Sequence, residues 1–282
     1  MTSEQILRSN LQQTKEIQQV ILGILKAIDR VCKEHGLTYY IIAGTMLGAV
    51  RHHGFVPWDD DADVALPRKD YDILLEHADE WLPEAYELVS NLTDTGYPYA
   101  FARIQDRRTT YILRRKFNFI GGVPVDVFPL DGMTEDKFKR RVHYAKYEFF
   151  AKIKYFNLID PYKHGRGLRS VFVNMMHKCF STKKLHQRID AIQREFPIGI
   201  MPCIADHDNR PERGILPKEV YGKPCPVKFE DTVLMGVAQP EVYLRYCYGN
   251  YMKMPDELPP QNFRYLNLDL PYREYMRDHP DA

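Results

Sequence analysis

The sequence predicts an α+β fold, in which a small mixed sheet is flanked by helices. Apolar side chains recur at spacings of three and four within residues 6–35, the pattern of a long helix that packs along one face. Gly36 follows directly, and glycine is a common residue just past a helix end. Short apolar segments typical of strands come next, and one of them begins within a run of aspartates at residues 59–63.

The remaining elements follow from the same patterns in chain order. A strand at 38–43 leads into a short helical turn at Gly44, and a second strand occupies 63–66. Further strands are predicted at 86–90, 100–105, 110–113 and within 121–130, and further helices at 67–83, 135–155, 167–180, 183–196 and 241–249. We predict turns at Asp131-Gly132 and, on the surface, at 206–208.

Composition sets broad limits on function. The 282 residues carry a formal net charge of +1, which predicts no general electrostatic attraction to nucleic acid or membranes. No apolar run approaches the roughly 20 residues that span a bilayer, and the polar first residues lack the core of a signal peptide. The five cysteines show no metal-binding or disulfide spacing. We therefore expect a cytoplasmic protein, with association at the inner membrane face left open.

The turn at Gly44 and Thr45 has the features of a phosphate site. Free backbone N–H groups at the start of a helix bind phosphate, and this turn joins a strand to a helix. Arg51 follows within the same stretch, and its guanidinium can grip a phosphate through two parallel hydrogen bonds. The alternative role for Arg51 is an ion pair with one of the nearby aspartates.

The acidic run at 59–63 suggests a metal site. Side chains alternate along a strand, so Asp59, Asp61 and Asp63 share one face while Asp60 points away. Carboxylates on one face repel each other unless a cation lies between them, and oxygen ligands favour Mg²⁺ or Mn²⁺. A solvated acidic turn is the plain structural alternative. A phosphate site beside a metal ion held by carboxylates is typical of enzymes that transfer phosphoryl or nucleotidyl groups.

Asp126 is the one charged residue in an otherwise apolar strand. A lone carboxylate in such surroundings needs a partner, either a metal ion or an arginine such as Arg103. Arg103 lies near a predicted hairpin turn and is a candidate for holding a diphosphate, although a solvated hairpin charge is the commoner situation.

Three segments resemble the LicD family of phosphocholine transferases, which are related to fukutin-type ribitol-phosphate transferases. They are the stretch AGTMLGAVRHHGFVPWDDDADVALPRKDYD, the strand PVDVFPLDG around Asp126, and the late segment YGNYM. The resemblance implies a nucleotidyltransferase-like fold, with a helical insertion and C-terminal α/β additions. It implies one LicD-like domain over 1–282, made of a core (1–132), a mainly helical region (133–223) and a C-terminal segment (224–282). Residues 258–264 depart from the family pattern.

The resemblance also implies a chemistry. Asp61, Asp63 and Asp126 would be catalytic, and the metal would be held by Asp59, Asp61, Asp63 and Asp126. Gly44, Thr45, Arg51 and Arg103 would bind substrate. The donor would be a CDP-alcohol, with CDP-choline first, and the acceptor a hydroxyl of a cell-surface glycan of teichoic acid or lipopolysaccharide type. No nucleic-acid partner is expected.

Three alternatives stay open at this point. One is transfer of ribitol phosphate or glycerol phosphate, which a polar pocket would favour, whereas an aromatic pocket would favour choline. Another is transfer of the nucleoside monophosphate itself. The last is a domain that binds nucleotide or glycan without catalysis.

Overall fold

The computed structural model describes residues 3–94, 96–114, 119–159, 161–162, 166–209, 211–255 and 257–280, with only the backbone for 3–9. The predicted α+β class is confirmed: a curled mixed sheet is flanked by helices. Within these residues, no helix combines the length and the apolar character needed to cross a membrane.

The helices and strands have the following bounds. The helices are α1 (Ser3–His35), α2 (Ala43–His52), α3 (Arg68–Trp81), α4 (Lys137–Leu158), α5 (Leu168–Cys179), α6 (Thr182–Gln193), α7 (Pro211–Gly214), α8 (Lys218–Tyr221), α9 (Pro240–Tyr248) and α10 (Tyr272–Asp278). The strands are β1 (Tyr40–Ile41), β2 (Asp63–Pro67), β3 (Tyr86–Val89), β4 (Ala102–Asp106), β5 (Thr110–Leu113), β6 (Ile120–Gly121), β7 (Pro124–Met133), β8 (Cys203–Ala205), β9 (Ile215–Pro217), β10 (Cys225–Phe229), β11 (Thr232–Gly236) and β12 (Phe263–Asn267).

The main sheet is built around a parallel pair of strands. Its order is β1-β2-β7-β4-β3, with β8 and β9 added along the far end of β7. Strands β2 and β7 run parallel, whereas β1, β4 and β8 pair antiparallel with their neighbours. A parallel pair needs a long connection, and here α3 and strands β3 to β6 supply it. Most residues of both central strands are buried and apolar, and the charged exceptions are Asp63 in β2 and Asp126 and Asp131 in β7.

Helix α1 forms the largest single face of the core. Its residues Ile17, Ile21, Ile24 and Ile28 are completely or almost completely buried. The helix packs against β4, β7 and β11, so it connects the sheet with the later hairpin. Gly36, with a φ of +66°, ends the helix in the left-handed conformation that glycine tolerates best, as the sequence predicted.

The predicted turn at Asp131-Gly132 is wrong, because β7 continues through both residues to Met133. Asp131 is buried there, and the guanidinium of Arg68 binds both of its carboxylate oxygens, at 2.8 and 2.5 Å. A further bond from Arg68 Nη1 reaches Asp190 at 3.2 Å. The arginine thus neutralises a charge that would otherwise end the strand, and it connects α3 with β7 and α6.

The later strands form two small separate sheets, β12-β5-β6 and the hairpin β10-β11, that pack against the first half of the chain. Strand β12 pairs with β5, and the β10–β11 hairpin packs on β1, α1 and α2. The Tyr40 hydroxyl donates a 2.7 Å hydrogen bond to the carbonyl of Gly222, which fixes this later region to the first strand. The C-terminal quarter of the chain is therefore packed against the core residues of the first half.

Replacing Arg68 should reveal how much the fold depends on this buried ion pair. Arg68→Gln leaves Asp131 buried without its partner, so we expect the free energy of unfolding at pH 7 to fall by about 3–5 kcal/mol. Urea denaturation measures the change. Arg245→Gln is the control, because Arg245 and Glu241 form an exposed pair whose loss should change stability by less than about 1 kcal/mol. Equal effects of the two substitutions would contradict the role assigned to Arg68.

Candidate active site

The parallel pairing of β2 with β7 places Asp63 directly opposite Asp126. Residues paired in this way point to the same face of the sheet, so the two carboxylates share one side. The Asp126 N–H donates to the Ala62 carbonyl at 2.9 Å, which fixes the register at this end of the strands. Two of the predicted site residues, distant in sequence, are thus neighbours on adjacent strands.

An open cleft of about 680 Å³ lies against the acidic run, and we call it the acidic cleft. It is bounded by the start of α2, the segment leading into β2, and the chain around the end of α9 and beyond. Its lining residues are Ala43, Gly44, Leu47, Arg51, Val56, Trp58, Asp59, Asp61, Asp63, Tyr248, Asn250, Tyr251, Lys253, Met254, Pro255, Glu257, Pro259 and Asn262. The cleft therefore brings together Gly44, Arg51 and three predicted aspartates, whereas Thr45, Arg103 and Asp126 lie outside this lining.

The turn from β1 into α2 is tight. Strand β1 ends earlier than predicted, because Ala43 already begins the helix with a φ of +46°, a strained value for a residue other than glycine. The Ala43 N–H donates to the Tyr243 hydroxyl at 3.0 Å. A Cβ on Gly44 would lie 3.0 Å from Asp59 Oδ2, so the glycine lets the helix start and the carboxylate approach each other.

Thr45 has a structural partner rather than an open face on the cleft. Its side chain is buried, and its hydroxyl oxygen accepts a 2.8 Å hydrogen bond from the N–H of Asp63. The threonine therefore holds the first residue of β2 against the start of α2. Its predicted contact with a diphosphate stays a prediction.

Asp60 is buried and lies outside the lining of the acidic cleft, whereas Asp59 and Asp61 line it. Asn262 binds it twice, through its backbone N–H and its side-chain Nδ2, each at 2.8 Å. The same Nδ2 lies 3.2 Å from Asp61 Oδ2. Burial raises the pKa of Asp60, and the bonds from Asn262 act in the opposite direction. Sequence reasoning missed Asn262, whose only signal was that residues 258–264 depart from the family pattern.

Asp59 is held in place through its backbone. Its carbonyl oxygen accepts a 2.8 Å hydrogen bond from Gln18 of α1, which also donates to the Val56 carbonyl. Burial raises the pKa of the Asp59 carboxyl to about 6, and the charge of Asp60 adds to this while Arg51 opposes it. A carboxyl group with such a pKa exchanges protons near neutral pH.

Asp63 experiences the strongest accumulation of negative charge. Loss of hydration raises its pKa well above the usual range of a carboxyl group. Further negative charges raise it more; they belong to Asp61, Asp126, Asp206 and Asp208. In electrostatic terms, Asp63 is therefore the centre of the acidic group.

The prediction of a surface turn at 206–208 is confirmed for Asp208, which is exposed, and wrong for Asp206 and His207. Asp206 and His207 are each about 4% exposed. The turn follows β8, whose pairing with the extension of β7 carries it into the interior. Burial and the charge of Asp208 raise the pKa of Asp206 to about 6. This turn is a part of the site's electrostatics that the sequence did not reveal.

Asp126 is paired with Arg103, the arginine partner that the sequence offered as an alternative to a metal. Arg103 donates from Nε to Oδ1 at 2.5 Å and from Nη2 to Oδ2 at 3.2 Å. The guanidinium is buried and lies 4.3 Å from the centre of the Tyr99 ring. Arg103 therefore balances Asp126 inside the sheet, and its predicted diphosphate contact receives no support from this position.

Arg51 lies at the cleft wall between aromatic side chains. Its Nη1 donates to the Tyr251 carbonyl at 3.0 Å, and its guanidinium is 5.8 Å from the centre of the Trp58 ring. Trp58, Tyr248 and Tyr251 all line the cleft. The cleft thus combines an arginine, aspartates and aromatic rings.

The predicted metal site is not preassembled. Among the residues that the structure describes, no group of three or more His, Cys, Asp or Glu side chains is arranged to hold a metal ion. The carboxylates that face the cleft are those of Asp59, Asp61 and Asp63, and the mutual repulsion around Asp63 is what a bound cation would relieve. These three are the residues that could hold a divalent ion. The participation of Asp126 stays a prediction.

The raised pKa of Asp59 predicts a pH-dependent stability. Between about pH 4 and pH 6 the folded state retains a proton that the unfolded state loses, so ionisation of Asp59 destabilises the fold as pH rises. In chelator, Asp59→Asn should raise the free energy of unfolding at pH 7 by about 1–3 kcal/mol, with the gain shrinking towards zero near pH 4. Urea denaturation across this range measures it. Asp269→Asn, at an exposed aspartate, is the control, and a gain independent of pH would contradict the assignment.

Comparison with known proteins finds a family model and a relative that match the part of the chain containing the Asp63–Asp126 pair. The family model described as the LicD/FKTN/FKRP nucleotidyltransferase domain matches residues 36–161. The lipopolysaccharide cholinephosphotransferase LicD of Haemophilus influenzae is 27% identical over 256 residues, which cover 86% of this chain and 92% of that protein. An uncharacterised protein of Rickettsia prowazekii is 28% identical over 36% of this chain and 34% of its own length. The chain therefore contains a nucleotidyltransferase domain of the LicD family, and the Asp63–Asp126 strand pair lies within it.

Proposed function

We propose that this chain transfers phosphocholine from CDP-choline to a hydroxyl group of a cell-surface glycan precursor of lipopolysaccharide type. The observation that carries the proposal is the likeness to a lipopolysaccharide cholinephosphotransferase over almost the full length of both chains. The acidic cleft adds physical support, because it combines groups suited to a diphosphate, a divalent cation and a quaternary ammonium.

The choline headgroup accounts for the aromatic part of the cleft. A quaternary ammonium ion is attracted to the faces of aromatic rings. Trp58, Tyr248 and Tyr251 supply three rings at the cleft wall, near carboxylates of opposite charge to choline. This composition favours choline over the uncharged polyols ribitol and glycerol as the headgroup of the donor.

The diphosphate would be bound between the helix start and the arginine. Backbone N–H groups at the start of α2, at Gly44, and the guanidinium of Arg51 are the candidate donors for its oxygens. Asp61 and Asp63, with Asp59 beside them, would hold Mg²⁺ or Mn²⁺. Such an ion neutralises phosphate charge and stabilises the charge that develops on the leaving group.

The reaction then consists of one displacement at phosphorus. The acceptor hydroxyl oxygen forms a bond to the choline-bearing phosphorus, and the bond from that phosphorus to the oxygen of CMP breaks, so that CMP leaves. A carboxylate of the acidic cleft would take the hydroxyl proton as the new bond forms. Asp126, bound by Arg103, adds its negative charge to the field at Asp63, and its contact with the metal ion stays a prediction.

Donor binding tests the proposal directly. Calorimetric titration with CDP-choline, CDP-ribitol and CDP-glycerol, in Mg²⁺ and in chelator, should show metal-dependent binding of CDP-choline. Asp61→Asn should weaken that binding at least about tenfold, because it removes a carboxylate from the proposed metal site. Asp231→Asn, at an exposed residue paired with Lys26, is the matched control and should bind normally.

Other outcomes would redirect the assignment. Preferred binding of CDP-ribitol or CDP-glycerol would indicate transfer of a polyol phosphate. The matched family model includes fukutin-type proteins, so this outcome is a concrete alternative. Release of phosphocholine instead of CMP during turnover would indicate nucleotidyl transfer. A folded protein that binds none of the three donors would support a domain without this catalysis.

Trp58 offers a separate test of the headgroup. Trp58→Leu removes an aromatic face while keeping an apolar side chain, so CDP-choline should bind about fivefold more weakly and CDP-glycerol almost unchanged. The ratio of the two dissociation constants, measured by the same titration, is the readout. An equal loss for both donors would mean that Trp58 shapes the cleft without recognising choline.

A further inference from the structure

Helix α5 displays an apolar stripe towards solvent. Among its residues only Ser170 and Val173 are buried. The exposed apolar side chains are Leu168 (91%), Val171 (66%), Phe172 (42%) and Met175 (47%). Their spacing of three, four and seven residues places them on one side of the helix. We call these four residues the apolar stripe. The stripe faces solvent, whereas the apolar side of a helix normally packs on the protein core.

The helix is held in this orientation by contacts with α4 and the segment after it. The Phe172 ring packs edge-on against Phe156 of α4, with ring centres 5.3 Å apart. His177 Nε2 lies 3.2 Å from the Ile159 carbonyl, and Asn174 Nδ2 donates to the Tyr162 hydroxyl at 3.2 Å. These contacts lie along the length of the helix, so the exposure of the stripe is a consequence of how α5 is docked.

The same region carries a large excess of positive charge. Residues 137–189 contain fourteen Lys and Arg but two acidic residues, and no acidic residue occurs in 161–189. The rest of the chain holds 25 Lys and Arg against 36 Asp and Glu. The net charge of +1 therefore hides a strong separation of charge along the chain. The expectation of no electrostatic attraction to nucleic acid or membranes rested on the net charge alone, so it does not hold for this basic region.

We propose that α5 and the basic residues around it dock on the surface of an anionic lipid bilayer. In this arrangement the apolar stripe enters the boundary between headgroups and acyl chains, and Arg166, Arg169, Lys178, Lys183 and Lys184 face anionic headgroups. An interfacial helix of this kind combines a buried apolar side with flanking cations. Each cation near such a surface contributes to binding, and the stripe adds the burial of apolar area.

Two other occupants fit the observations less well. A nucleic acid would use the cations, but aliphatic side chains such as Leu168 and Val171 gain little from a phosphate backbone. A second copy of the chain would cover the stripe, but it would bring two strongly positive surfaces together. A bilayer satisfies both the apolar and the charged features.

Vesicle flotation of the full-length protein tests the proposal, and it needs neither donor nor turnover. The protein should float with vesicles containing phosphatidylglycerol, bind those of phosphatidylcholine alone much more weakly, and be released by salt near about 0.5 M. Leu168→Gln/Val171→Gln and, separately, Arg169→Glu/Lys178→Glu should each lower the partition coefficient at least about tenfold. All four residues are exposed, so the variants should fold, which circular dichroism checks.

Matched controls separate this surface from general effects. Leu92→Gln/Ile200→Gln removes two exposed apolar side chains elsewhere, and Lys223→Glu/Lys228→Glu makes the same change in net charge outside the basic region. Both should bind vesicles as the parent does. Absence of vesicle binding by the folded parent would overturn the proposal. So would equal loss in test and control variants, tighter binding to duplex DNA or RNA than to vesicles, or stripe variants that alter only self-association in sedimentation.

Discussion

The parallel pairing of β2 with β7 is the constraint on which the rest of this structure depends. It places Asp63 beside Asp126 within a largely apolar sheet, where ionised carboxylates are unfavourable unless other groups compensate them. The surrounding structure supplies part of that compensation. Arg103 takes both oxygens of Asp126, Asn262 binds Asp60, and the Thr45 hydroxyl fixes the first residue of β2. Each of these partners comes from a different element, so several distant segments must be in place before the acidic residues can be held together.

Compensation is incomplete on the side that faces the cleft. The pKa values of Asp59 and Asp63 both rise through loss of hydration and neighbouring negative charges, and Arg51 offsets only part of the rise at Asp59. The site is therefore poised to gain free energy from a positive group, whether a metal ion or the cation of a substrate. Asp126, by contrast, is balanced internally. This division separates Asp126, which has an internal partner, from Asp59 and Asp63, which face the cleft.

The distribution of charge over the whole molecule extends this contrast. The acidic cleft and the basic region at 137–189 are parts of one chain whose total charge is close to zero. The end of α9 and the chain after it also contribute to the cleft, through Tyr248, Tyr251 and Asn262, although these residues lie far beyond the matched domain at 36–161. The paired aspartates of β2 and β7 lie within the matched domain, whereas the shape of the cleft is completed by the C-terminal segment.

The sequence by itself determined the features that depend on local periodicity. The long helix α1, the strand-to-helix turn at Gly44 and the start of β2 at Asp63 follow from patterns along a few residues. Only the tertiary structure decided the partners. The pairing of Arg103 with Asp126, the two bonds from Asn262, the burial of Asp206 and His207 and the continuation of β7 through Asp131 all depend on residues that are far apart in the chain. A local pattern fixes where a side chain points, but the group that it meets depends on how strands and helices pack.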